Sequence, residues 1–461
     1  MLTYSLSPED KSCLYEQLYC HIKNDIISGK LSAGEKLPSK RKLAENLHIS
    51  VITVETAYNQ LVAEGYLNAR EKRGYFVAHT EDSLPAVRQP LTLAEPEPQQ
   101  YFMDFKTNHI QGEQFPFSLW ARLMRQELLE QEKKLLQPQQ YNGVPELRQA
   151  IAEYLSRARG ISVSPAQILV GSGTEYLYNL LIQLLGRDKV YGVENPGYQK
   201  IANIYQANDA QYRPIRVDRS GLNLEQLQQS DVDILHISPS HHFPTGIVTP
   251  IGRRQELLKW AAEQPGRYII EDDYDSEFRF SGRPIPTLFS IDENEKVIYI
   301  NTFSKTIAPS IRISYMIFPP SLMETYREKL GFYSCTVPSF EQYTLAAFIQ
   351  QGAFDRHISR MKKQYRTLRD AVIDAIRQSP LADKSRIYEE DSGLHFLLRL
   401  NTEKSDEILA QAALERSIRI SCLSDYLYRP DPQYEHMLVI NYTGIDVQRL
   451  PETLRRLAEI L

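Results

Sequence analysis

Cysteine is scarce in this chain of 461 residues. The four present, Cys13, Cys20, Cys335 and Cys422, form no CxxC pair and no spacing that suits a metal. That excludes a disulfide framework, argues against structural zinc, and leads to the expectation of a reduced, cytoplasmic protein. Long apolar runs are lacking too. None reaches the length needed to cross a bilayer, and the N-terminal stretch carries Glu9 and Asp10 rather than the apolar core of a signal peptide, so no membrane association is expected. Charge of one sign is absent: the net charge is −5, so any contact with nucleic acid must come from a local basic patch. Repeats and low-complexity tracts are missing as well. What is present is ordinary for a globular protein, 42% hydrophobic and 24% charged residues. The length exceeds one core and implies about two or three domains.

Residues 10–79 read as a compact helical unit with a hairpin. Leu14, Leu18, Ile22 and Ile26 recur every fourth residue, as on one helix face. Pro38-Ser39 opens a short helix, and His48-Ile49-Ser50 forms a turn ending in an N-cap. The next helix buries Val54, Ala57, Tyr58 and Leu61, which leaves Ile52, Thr53, Glu55, Thr56 and Asn59 outward. Tyr66-Leu67-Asn68 and Gly74-Tyr75-Phe76-Val77 then form a two-stranded wing around a basic turn. Residues 80–104, with Pro85, Pro90, Pro96 and Pro98, suit an extended linker. From 105 onward strands and helices alternate. The short β-branched runs at 168–170, 189–193, 234–237, 268–270 and 297–300 predict an α/β architecture with a mostly parallel sheet, residues 105–345. A smaller α+β domain at 346–461 has strands near 393–398 and 437–440.

The candidate chemistry lies where parallel sheets bind ligands, after the carboxyl ends of strands. Lys305 follows Asn301-Thr302-Phe303-Ser304, and the run Glu271-Asp272-Asp273-Tyr274-Asp275 places Asp272 33 residues before it. An amine to take up an aldehyde and a carboxylate to keep a pyridine nitrogen protonated are what pyridoxal 5'-phosphate (PLP) requires. Tyr274 would hydrogen-bond the phenolic oxygen, with Asp273, Asp275 and Glu277 in support. Gly171-Ser172-Gly173-Thr174 follows a strand and opens a helix, where free backbone N–H groups can hold a phosphate. Alone this motif reads more readily as a turn and cap, but Asp272 and Lys305 downstream favour the phosphate. Arg312 adds a fixed positive charge, and Thr302 sits in the same turn as Lys305. Tyr198, in Asn195-Pro196-Gly197-Tyr198, either stacks on the ligand ring or packs as core.

In the order Ser-Gly-Thr, Asn-Pro-Gly-Tyr, Pro-Thr-Gly, Asp-x-Tyr, Ser-Lys and Arg, residues from about 100 to 461 resemble fold-type-I aminotransferases. Residues 10–78 resemble a GntR-type winged helix-turn-helix through Lys36-Leu37-Pro38-Ser39-Lys40-Arg41-Lys42-Leu43-Ala44, Ser50-x-x-Thr53-Val54 and Arg73-Gly74-Tyr75-Phe76-Val77. In this order the two are similar to MocR-type transcriptional regulators, a resemblance spanning nearly the whole chain. It implies a PLP-dependent regulator that binds a double-stranded DNA operator as a homodimer and senses a small amino effector or PLP through the Schiff base at Lys305. The alternatives are an active aminotransferase carrying a DNA-binding module and a PLP-bound dimeriser without effector.

The chain departs from these patterns at three places. The usual Asn before Pro-Thr-Gly is Phe243, which cannot donate to the phenolic oxygen, so Tyr274 or His241 must serve. Met437-Leu438-Val439-Ile440-Asn441-Tyr442 offers no Arg for an effector carboxylate, which leaves Arg429, Arg419 and Arg399 as candidates. Lys200 stands about where a GABA-responsive relative is expected to carry Arg. In the N-terminal unit the charge is nearly balanced, ten Lys/Arg against nine Asp/Glu over 1–79, but unevenly placed. The candidate DNA contacts are Lys36, Ser39, Lys40, Arg41, Ser50, Thr53, Lys72, Arg73 and Gly74. Val51 replaces the Arg that usually follows the position of Ser50, which implies a different operator.

Overall fold

The computed structural model describes residues 2–7, 12–78, 99–107, 115–280, 285–389 and 393–461. It divides into two compact units, Met1–Pro98 and Gln99–Leu461, each considered by itself.

In the first unit three helices, Leu14–Ile27, Lys40–Leu47 and Val51–Ala63, precede a hairpin of Leu67–Arg70 and Gly74–Val77. Local chemistry sets each boundary. Ser39 Oγ accepts from Lys42 N at 3.3 Å, and Ser50 Oγ accepts from Thr53 N at 3.0 Å, so each serine caps the helix it precedes. Between them the chain turns at His48, in the left-handed region at φ 53°. Leu18, Ile22, Leu43, Val54, Tyr58, Leu61, Leu67 and Val77 close one core. The hairpin pairs Leu67 with Val77 and Arg70 with Gly74, and its tip needs positive φ at Lys72 (55°) and Gly74 (102°).

The second unit holds an eight-stranded sheet in the order 168–171, 314–317, 297–302, 268–272, 234–237, 190–195, 211–218 and 221–222. Strands 268–272, 297–302, 234–237, 190–195 and 211–218 run parallel; Ser314–Ile317 is antiparallel to both of its neighbours. The α/β, mostly parallel expectation therefore holds, with the antiparallel strands Ser314–Ile317 and Gly221–Leu222 as the interruptions. Five strands end at the same edge, which places Gly171, Asn195, Ile237, Asp272 and Thr302 together. A three-stranded antiparallel sheet of Ser385–Tyr388, His395–Leu400 and Met437–Asn441 follows, packed with the 25-residue helix Ala353–Arg377.

Two boundaries differ from expectation. Met103–Asp104, assigned to the linker, form a strand parallel to Ile418–Arg419, and Met103 and Phe105 are buried against Phe396 and Tyr365. Apolar burial holds this segment in the C-terminal core despite its flanking polar composition. The division at 345/346 falls inside the helix Ser339–Gln350, whose buried face runs through Leu345 and Ala346 without a break. The proline-bearing stretch 80–98 lies outside the described residues. Among the described residues no helix is long and apolar enough to cross a membrane, and no cluster of three metal-ligating side chains occurs.

Candidate cofactor site and nucleic-acid interface

Asp272 ends the strand Tyr268–Asp272 and is buried. Tyr178 donates to its Oδ2 at 2.5 Å, while its Oδ1 is buried with no hydrogen-bond partner. A buried carboxylate oxygen left unpaired costs free energy comparable to a lost charged hydrogen bond, so the site is built for a donor the protein does not supply. A protonated pyridine nitrogen is such a donor. Tyr178, which the sequence reading missed, fixes the carboxylate from the helix Thr174–Leu185. His236 also borders it, with Nε2 3.9 Å from Asp272 Oδ2 and Nδ1 bonded to Tyr205 at 2.7 Å.

Lys305 follows the strand Val297–Thr302. Burial pushes its amine below the usual lysine range, against the opposing field of Asp275. A lysine made easier to deprotonate is a better nucleophile toward an aldehyde. Tyr274 lies 3.2 Å from His241 Nδ1, which also contacts Asp275 Oδ2 at 2.9 Å. His241 Nε2 is buried and unpartnered. The pair that the sequence named as stand-ins for the missing Asn thus forms one hydrogen-bonded group, ordered by Asp275. Burial raises the Tyr274 phenol well above its usual range, so it stays a neutral donor.

At the start of the helix Thr174–Leu185, Gly173 takes φ 93° and serves as N-cap. A Cβ there would collide with the Arg312 guanidinium, so glycine lets that charge lie against the loop. Arg312, itself at φ 53°, pairs with Glu175 Oε2 at 3.1 Å. Lys200 pairs with the same carboxylate, and hydrogen bonding from Lys200 leads the effects that hold Glu175 below its usual range. Lys200 and Arg312 therefore share one carboxylate at the start of the helix Thr174–Leu185. Ser172 donates its backbone N–H to Thr336 at 3.0 Å. Thr302 Oγ1 already accepts from Ser304 N at 3.1 Å and Ser314 Oγ at 2.8 Å, which leaves only its own proton for a ligand. Ser304 Oγ, by contrast, is buried and unpartnered, a candidate contact that the motif Ser304-Lys305 carried but the reading left out.

Tyr198 is half exposed and meets the Phe243 ring edge-on, with centroids 5.8 Å apart. Phe243 in turn contacts His395 and Tyr426. Of the arginine candidates, Arg419 pairs with Asp104, and Arg399 and Arg429 are exposed; none is drawn into this group. Behind the site the buried pair Arg159–Asp273, at 2.7 Å, is joined by Tyr299 and Ser276.

In the N-terminal unit Lys36, Arg41, Lys42, Arg70, Lys72 and Arg73 are all exposed, along the second helix and the wing. Lys36 and Arg70 flank the Phe76 ring at 5.9 and 4.9 Å, so the wing presents oriented cations rather than loose ones. Lys40 is ion-paired with Glu55 of the third helix.

Residues 14–77 match the family described as bacterial regulatory proteins, gntR family, and residues 101–457 match aminotransferase class I and II. The chain is similar to the HTH-type transcriptional regulator YdeL of Bacillus subtilis (strain 168), 37% identical over 448 residues, 96% of each chain. It is also similar to the probable rhizopine catabolism regulatory protein MocR of Rhizobium meliloti, 32% identical over 459 residues, 96% of this chain and 92% of that one. The solved kynurenine aminotransferase of Pyrococcus horikoshii matches 79% of this chain and 91% of its own at a TM-score of 0.69 and 24% identity, which shows the shared fold. The cofactor of this domain is PLP, and the unpartnered oxygen of Asp272 fits it. With a GntR-type winged helix ahead of a PLP-binding aminotransferase domain, and relatives of the same layout along almost its full length, the chain belongs to the MocR-type transcriptional regulators.

Proposed function

We propose that this regulator senses a small amino compound, or PLP itself, at Lys305 and reads paired operator half-sites as a homodimer in the cytoplasm. The reading is carried by one combination: an exposed basic rim on a winged helix, and in the same chain a buried site whose carboxylate oxygen awaits a donor. When bound, PLP supplies an electrophilic aldehyde carbon and a conjugated ring. The residues do the rest. Lys305 offers the amine, Asp272 holds a proton on the ring nitrogen, and Tyr178 fixes Asp272. Tyr274 and His241 address the phenolic oxygen in place of the Asn that Phe243 displaces. Gly173, Thr174, Ser304 and Arg312 would hold the phosphate, and Glu175 sets the charge there by pairing with Arg312 and Lys200.

Sensing is favoured over turnover by what the site omits. Val439 occupies the last small-sheet strand as a buried apolar residue, and no arginine of that strand reaches the site. A ligand shifts the regulator only as far as its affinities for two arrangements differ. The decisive variant is Lys305→Ala in the full chain. It should lose the visible absorption of bound cofactor and stop responding to amines while keeping its affinity for operator DNA. A Lys305→Ala protein that still responds to the effector would refute sensing at this residue. Steady production of a keto acid by the unsubstituted protein would favour the enzyme reading.

A further inference from the structure

The first turn of the third helix presents bare hydrocarbon where a DNA reader normally presents polar groups. Val51 is 40% exposed and Ile52 74%. A lone exposed isoleucine is unremarkable. These two, however, occupy the N-terminal turn of the recognition helix, the part that meets base edges in the major groove.

Four polar side chains of this turn and the next already have partners within the unit. Ser50 Oγ accepts from Thr53 N at 3.0 Å and lies 2.8 Å from Thr53 Oγ1. Thr56 Oγ1 donates to the Ile52 carbonyl at 2.9 Å. Glu55 is held by Lys40. Each of these hydroxyls is thus tied to the helix by at least one bond, with lone pairs left over, and Asn59 lies exposed further along the same helix. Arg41, on the second helix, and Arg73, at the wing tip, are exposed; cations that grip phosphates fix a helix in the groove without selecting a base.

In the major groove the one apolar group is the C5-methyl of thymine. From the exposed side chains and the partnered hydroxyls we infer that Val51 and Ile52 read thymine methyl groups, so that each half-site is selected for A·T pairs at the positions facing this turn. The inference rests on the DNA-reading function proposed above and goes beyond it by naming the chemical group recognised.

The test starts from duplexes retained out of a random pool by the full-length, PLP-loaded protein. Single thymines in them are replaced by deoxyuridine, which removes only the methyl. At one or two thymines per half-site the replacement should weaken binding roughly fourfold, the effect of one buried methyl-sized group. Ile52→Ser and Val51→Ser should each abolish that difference at one thymine; both side chains are exposed, so neither holds the core. Arg73→Ala should weaken thymine and uracil duplexes alike. If uracil makes no difference at any position, or the difference persists at full size in both serine variants, the inference is overturned while DNA reading stands. If no duplex is retained at all, both fall.

Discussion

At the scale of single residues, the site is defined by polar atoms without partners. Asp272 Oδ1, His241 Nε2 and Ser304 Oγ are all buried and unpaired, and each lies next to a residue that PLP chemistry requires. Asp272→Asn keeps the shape and removes the charge. Loss of a charged hydrogen bond should weaken PLP binding by roughly ten- to a hundredfold, measured by titrating the apoprotein spectroscopically. Glu277 gives a pH prediction. Burial first, and then the charge of Asp273, raises its carboxyl to about 7. The folded state thus holds this proton more tightly than the unfolded chain, so the stability it confers is complete below the unfolded pKa of 4.5 and is lost as pH rises through about 7. Glu277→Gln is neutral throughout. Its stability advantage over the unsubstituted protein should grow between pH 5 and pH 8, by at most roughly 3 kcal/mol, in denaturant titrations. Glu271, also raised to about 7 by burial, keeps part of the decline in both proteins.

At the scale of elements, Gly393, just ahead of the strand His395–Leu400, is the sensitive point. Gly393 takes φ 78°, its N–H donates to Phe278 O at 3.1 Å, and a Cβ would fall inside the His241 ring. Gly393→Ala should cost well over the roughly 1–2 kcal/mol of a left-handed alanine, seen as a lowered thermal midpoint together with weaker cofactor binding. That contact was invisible in the sequence, since it joins residues 241 and 393 through the tertiary fold. Much else was legible. The five apolar runs at 168–170, 189–193, 234–237, 268–270 and 297–300 all became sheet strands, because a strand buried on both faces needs unbroken β-branched character. Gln211–Asp218 escaped notice because its arginines and proline break that signature near the sheet edge. Ser314–Ile317 is four residues long and follows directly on the Arg312 motif, so its antiparallel insertion left no periodic trace. In the site, the motif residues were readable from strand ends. Tyr178 and Glu175 were not, because their roles depend on which face of the helix Thr174–Leu185 turns toward Asp272 and Arg312.

At the scale of the whole molecule, two cores are built from separate stretches of chain. Among the described residues the winged-helix cluster draws on residues 2–77, and the clusters of the second unit draw on residues 102–461. Calorimetry should resolve two unfolding transitions, and added PLP should raise the midpoint of only one. A single transition shifted as a whole by the cofactor would show that the units share their stability. Two separate unfolding transitions would carry a consequence for a cell short of vitamin B6. A winged helix that folds without the vitamin would stay able to hold DNA through starvation. Shortage would leave a blind occupant there, and famine would be reported by a silent sentinel rather than by a vacant post.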